Sequence, residues 1–90
     1  MNTKILIVDD EIDIVLMLRS FFESKGYLVL FATNGEEALK QIERQPNIIL
    51  LDINMPGLDG LEVCERIRNY ISCPILFLTA RIEDTPQIRS

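Results

Sequence analysis

Apolar residues come along this chain in two rhythms. Residues 4–8 (KILIV), 27–32 (YLVLFA), 48–51 (IILL) and 75–78 (ILFL) are short, almost wholly apolar runs rich in branched side chains. All four read as strands, 4–8 as one covered on both faces and 48–51 as another buried one. The intervening segments keep helical spacing. From residue 11 to about 24, Ile14, Val15, Leu18, Phe21 and Phe22 share one face, with the adjacent phenylalanines divided between core and helix surface, and Gly26 can end the helix in the left-handed conformation. Thr33-Asn34 ahead of Gly35-Glu36-Glu37 supplies a second helix with a cap and with acids against its positive end. This helix is expected to run to about residue 45, burying Ala38, Leu39 and Ile42, and to stop at Pro46. Met55-Pro56-Gly57 and Asp59-Gly60 form a turn-rich loop. A third helix then places Val63, Cys64, Ile67, Tyr70 and Ile71 on one face, and Pro74 leads into the fourth strand, which ends at Thr79-Ala80.

Strands alternating with helices of this length imply βαβ units, and so an α/β fold with an open parallel sheet and right-handed crossovers. With the first strand central, the expected strand order is 2-1-3-4. The first helix then lies on one face of the sheet and the second and third on the other. Ninety residues make one small domain, read here as spanning residues 1–90, with a modest core.

Composition narrows the chemistry. Nine Lys and Arg against 14 Asp and Glu give a net charge of -5, which argues against direct nucleic-acid binding by this segment. No apolar run approaches the roughly 20 residues that cross a bilayer, and Asp9-Asp10 interrupt the first run too early for a secretory signal. A cytoplasmic location is expected, with no membrane contact. Cys64 and Cys73 lack metal-site spacing and read as reduced thiols. Histidine is absent, which removes His-ligated zinc, a His-based triad and phosphohistidine from consideration. The chemistry falls to carboxylates.

In an open parallel sheet, ligands sit beyond the carboxyl ends of the strands, where the strand order reverses. Asp9 and Asp10 follow the first strand, Asp52 ends the third and Thr79 the fourth, so three acids and a hydroxyl converge there. Neighbouring strands lie about 4.8 Å apart, close enough for strong repulsion between the acids. A hard divalent cation, Mg2+ above all, would compensate and would make the cluster a phosphoryl site. Asp52, at the tip of a buried strand, is the expected nucleophile, and Thr79 can donate to a phosphoryl oxygen. An acidic pair after a strand is by itself often an ordinary solvated turn; the joint placement with Asp52 and Thr79 is what favours chemistry.

The segments ILIVDDE, NGEEAL, IILLDINMPGLDGLEV and PILFLTAR, in this order and spacing, resemble the receiver (CheY-like) domain of two-component response regulators, a flavodoxin-like fold. The resemblance implies that Asp52 accepts a phosphoryl group from a sensor histidine kinase. It implies Mg2+ held by Asp9, Asp10, Asp52 and the main-chain carbonyl of Asn54, with Asp10 the usual metal ligand, and Thr79 as the switch hydroxyl. The LTAR-x-ED run is similar to the branch whose members carry a winged-helix DNA-binding domain. A receiver of this kind is a signalling module, not an enzyme. The family also has a fifth strand, a fifth helix, a lysine after that strand and an aromatic switch residue, none with a counterpart here. Thr85-Pro86 starts a fourth helix that the sequence leaves at Ser90. Without the fifth helix, apolar side chains of the third and fourth strands should be exposed on the first helix's side, favouring self-association through that uncovered face.

Two other readings remain. A haloacid-dehalogenase-type phosphatase also uses a strand-end aspartate, but places a second aspartate two residues on, where this chain has Asn54. A degenerate receiver would act only as an interaction module.

Overall fold

The computed structural model describes residues 3–52 and 60–78. Strands β1 (Lys4–Val8), β2 (Leu28–Ala32), β3 (Ile48–Asp52) and β4 (Ile75–Leu78) alternate with helices α1 (Ile12–Ser24), α2 (Gly35–Gln41) and α3 (Gly60–Arg68). All pairings among the described strands are parallel, in the order β2-β1-β3-β4. Every strand predicted from its apolar run is present, and the order is the expected one.

The core divides into two layers. On one face Leu6, Val8, Ala32, Ile49 and Leu51 pack against Ala38, Val63 and Ile67 of α2 and α3. On the other, Ile5, Ile7 and Leu50 pack against Val15 of α1, with Leu18 and Phe22 alongside. Alternate residues of a strand point to opposite faces, so one apolar run feeds both layers. The sheet's centre, β1 and β3, is accordingly its best-buried part.

Helix α1 stops where expected. Lys25 closes it, Gly26 takes φ +96°, and two bonds form the Schellman pattern: the Gly26 N–H donates to the Glu23 carbonyl (3.0 Å) and the Tyr27 N–H to the Phe22 carbonyl (3.1 Å). The Phe22 and Tyr27 rings meet edge-on at 5.9 Å, the apolar contact that accompanies this motif. Phe22 packs inward, whereas Phe21, placed by spacing on the same apolar face, is 53% exposed at that face's margin and lies on the helix surface.

Helix α2 starts at its predicted cap. The Asn34 side chain accepts from the Glu37 N–H (2.8 Å), and Glu37 Oε1 in turn accepts from the N–H and hydroxyl of Thr33 (2.9 and 3.0 Å). Its end differs from the expectation of a continuous helix to about residue 45. The α-helix gives way to a 3-10 turn, Ile42–Arg44, and Gln45 adopts a left-handed φ of 59°. The tighter turn lets Ile42 stay in the core while Pro46 is brought to the start of β3.

Two further expectations are corrected. Tyr70, placed by spacing on the apolar face of the third helix, is 76% exposed, because α3 ends at Arg68 and Tyr70 lies in the turn beyond it. The uncovered third strand is not uncovered at Leu50, which is 7% exposed within the α1-side cluster together with Ile48 and Leu78. Leu76, on edge strand β4, is 51% exposed. Among the described residues, no helix is long and apolar enough to cross a membrane.

Candidate functional site

At the carboxyl edge of the sheet, β1 and β3 are direct neighbours, with Val8 opposite Leu51. Continuing that register by one residue sets Asp9 beside Asp52. The structure brings together three of the residues singled out in the sequence: Asp9, Asp10 and Asp52 each offer a carboxylate oxygen within 4.8 Å of the others. Asn54 and Thr79, the remaining two, lie outside the described residues, as does the loop containing Met55-Pro56-Gly57.

The acidic pair is not a pair of equals. Asp9 still bonds to the end of β2 and is buried, whereas Asp10 lies past that last bond and is exposed. The Asp9 N–H donates to the Ala32 carbonyl at the end of β2 (3.1 Å), and its Oδ1 accepts from the Glu11 N–H (2.9 Å) at the start of α1. Asp9 thereby ties three elements together. Ala32 was not picked out in the sequence, and as a small apolar residue ending a strand it carries no chemical signal; its carbonyl contributes through position alone. Asp52 is also buried, 3% exposed, at the tip of β3, paired in register with Leu78 of β4.

Burial and like charge dominate the electrostatics. The Asp9 carboxyl is pushed up to about 6, first by burial and then by the charges of Asp52, Asp10 and Glu11, against the opposing bond from the Glu11 N–H. At an effective dielectric of about 20, two ionised carboxylates at 4.8 Å repel by about 3 kcal/mol. The cluster therefore favours a positive charge at its centre. Its donors are all carboxylate oxygens on three adjacent positions, two buried and one open to solvent, and they suit a hard oxygen-seeking cation such as Mg2+ better than a soft metal.

The sequence matches the response regulator receiver domain family over residues 5–89. It is 48% identical over 90 residues to the alkaline phosphatase synthesis transcriptional regulatory protein PhoP of Bacillus subtilis, covering 98% of this chain and 38% of that protein. The chain thus spans less than two-fifths of the length of that relative. Among solved structures, the chemotaxis protein CheY4 of Vibrio cholerae superposes with a TM-score of 0.85 at 33% identity, covering 98% of this chain and 77% of that one. The response regulator TrrA of Thermotoga maritima, solved in complex with Mg(2+)-BeF, gives a TM-score of 0.80 at 41% identity, covering 90% and 72%. A family match over almost the whole sequence, joined to the strand order and the carboxylates gathered at its switch point, leads to one conclusion: this chain belongs to the response regulator receiver domain family.

Proposed function

We propose that Asp52 accepts a phosphoryl group from the phosphohistidine of a sensor histidine kinase. The observation that carries this reading is the convergence of Asp9, Asp10 and Asp52 within 4.8 Å at the end of a rigid buried strand. An Asp52 oxygen attacks phosphorus, the P–N bond to the kinase imidazole breaks as the new P–O bond forms, and the imidazole leaves with the electron pair. Asp9, Asp10 and Asp52, with the main-chain carbonyl of Asn54, would hold Mg2+. When bound, that ion neutralises charge on the transferring oxygens.

Each protein group has a separate task. Burial in β3 fixes Asp52 in one orientation, which suits an in-line reaction. Asp9, anchored by the Glu11 N–H and through its own N–H by Ala32, holds its carboxylate at the back of the cluster, while the exposed Asp10 faces solvent. The Thr79 hydroxyl would donate to a phosphoryl oxygen and report occupancy to the neighbouring surface. That the similar TrrA was solved in complex with Mg(2+)-BeF supports Mg2+ as the ion for this chain. The longer relative's name supports a place in a transcriptional regulatory protein, which would work in the cytoplasm, with DNA contact made outside this acidic segment.

Asn54, at the position where a haloacid-dehalogenase-type phosphatase carries its general acid, favours a stable phosphoaspartate over turnover. The test is incubation with Mg2+ and a small acyl-phosphate donor, followed by intact mass. One phosphoryl adduct, lost on alkaline treatment and abolished by Asp52→Asn, is expected. Sustained release of phosphate would indicate a phosphatase instead, and a folded chain that never labels would indicate an interaction module.

A further inference from the structure

We infer that the outer edge of β2 is a twofold pairing surface for a second copy of this chain, closed above by antiparallel packing of the two α2 helices. This rests on a different part of the molecule from the acidic cluster and is independent of the phosphoacceptor reading.

Backbone direction comes first. The Leu28 N–H donates to the Thr3 carbonyl (2.9 Å), and the Ala32 carbonyl accepts from the Asp9 N–H (3.1 Å). Along a strand the N–H and C=O of one residue point to the same side and alternate at the next residue. Leu28, Leu30 and Ala32 therefore bond to β1, and Val29 and Phe31 turn their backbone groups outward, where no described strand lies. Proteins usually protect such an edge with charge, proline or a bulge. Residues 27–32 contain none of these, and Leu28 and Phe31 are 46% and 37% exposed.

The surface beside this edge complements itself. A cavity of about 460 Å³ is walled by Val29, Leu30 and Phe31 below and by Glu37, Lys40, Gln41 and Arg44 above. The strand residues centre on Leu30, and the helical residues centre between Lys40 and Gln41. A dyad through that point pairs Val29 with Phe31 of the second copy, each donating and accepting once, and sets Leu30 against its equivalent. The same dyad sets Glu37 against Arg44 of the second copy and Lys40 against Gln41. The Gln41 Oε1 is buried without a hydrogen-bond partner, and the Lys40 ammonium of the second copy supplies the missing donor.

Spacing agrees. Helix α2 packs over β1 and β2, so each helix axis stands about half a strand spacing inside the edge, and two copies would lie about 10 Å apart, within the usual range for packed helices. A second copy fits better than an unrelated strand, because acid at the start of α2 and base at its end match a reversed copy of the same helix.

Sedimentation velocity of the 90-residue chain over a concentration series, with amide hydrogen exchange, tests this. A reversible monomer–dimer equilibrium is expected, with the Val29 and Phe31 amides slowing as the dimer forms and the Leu30 amide unchanged. Arg44→Glu, a surface change that leaves the core intact, should weaken the dimer about tenfold or more, and Phe31→Lys should do the same. A chain that stays monomeric at millimolar concentration overturns the inference. So does association that leaves the Val29 and Phe31 exchange rates or the Arg44→Glu affinity unchanged, which would instead place the contact on the face at Leu76.

Discussion

Asp9 and Glu37 are both carboxylates that accept backbone N–H bonds at the start of a helix, yet they respond in opposite directions. Glu37 is exposed at the head of α2, and its bonds from the Thr33 N–H and hydroxyl hold it below the ordinary carboxylate range. Asp9 accepts the Glu11 N–H at the head of α1, but burial and neighbouring acids push it up to about 6. The hydrogen bond favours the charged form in both places. In the second it is outweighed, because water that would solvate the charge has been excluded and like charges stand in its place. One helix start is built to be stable and the other to need a counter-charge. The caps tell the same story: Asn34 bonds the first turn of α2, and Glu11, at the equivalent place in α1, makes no side-chain cap bond.

The strongest way to break this contrast is to titrate Asp9 in metal-free buffer. A carboxyl raised in the folded state binds its proton there before it does in the unfolded chain. Stability should therefore rise as pH falls from 7 through about 6 and level off near 4, by up to about 3 kcal/mol. Urea midpoints across that range measure it, and Asp9→Asn should flatten the curve. Next, Mg2+ at pH 7 should stabilise the chain by about 2.7 kcal/mol at a concentration 100 times Kd, and should remove the acid-side gain by restoring the Asp9 carboxylate. A melting temperature indifferent to Mg2+ would remove the basis for a cation at this edge.

The α2 side predicts smaller changes. Asn34→Ala should cost about 1 kcal/mol in chemical denaturation with no effect on the Asp9 transition. Smallest of all is the change for Glu37→Gln, which keeps a side-chain acceptor for Thr33 but loses its charge. Its contribution has the opposite sign with pH: present above the unfolded value of 4.5 and lost as pH drops through the lower folded value. An Asp9-like rise in stability on acidification that persisted in Asp9→Asn would show that the two carboxylates had been assigned to the wrong roles.

Much of this architecture was legible in the sequence because it depends on local pattern. Four branched apolar runs specify parallel strands, Gly26 marks the end of α1, and Asn34 with Glu37 marks the start of α2. With the first strand taken as central, alternation of strand and helix then gives the sheet order, and the handedness of crossovers assigns each helix to its face. What escaped depends on tertiary context. Gln45 ends a 3-10 turn in a left-handed conformation without being glycine, because the chain must hand Pro46 to β3 while Ile42 remains buried. Tyr70 continues the helical spacing of α3 but lies past its end. Leu50 is covered on the α1 side through neighbours contributed by distant segments. At the candidate site the residue types and their convergence could be read in advance. The inequality of Asp9 and Asp10 could not, since it arises from where the chain makes its last bond to β2 and leaves the sheet.

The ladders have one more consequence, for the order of assembly. Among the described residues, no strand pairs with a neighbour across a tight hairpin. Each ladder joins residues at least about two dozen positions apart, and the central β1–β3 ladder spans the longest interval, a topology that slows folding relative to helical bundles. Asp9 and Asp52 belong to the segments joined by that most distant ladder. During synthesis, β1 must wait for β3 to emerge before gaining its second neighbour, so the mutually repelling acids meet only when the apolar strands beneath them have something to hold.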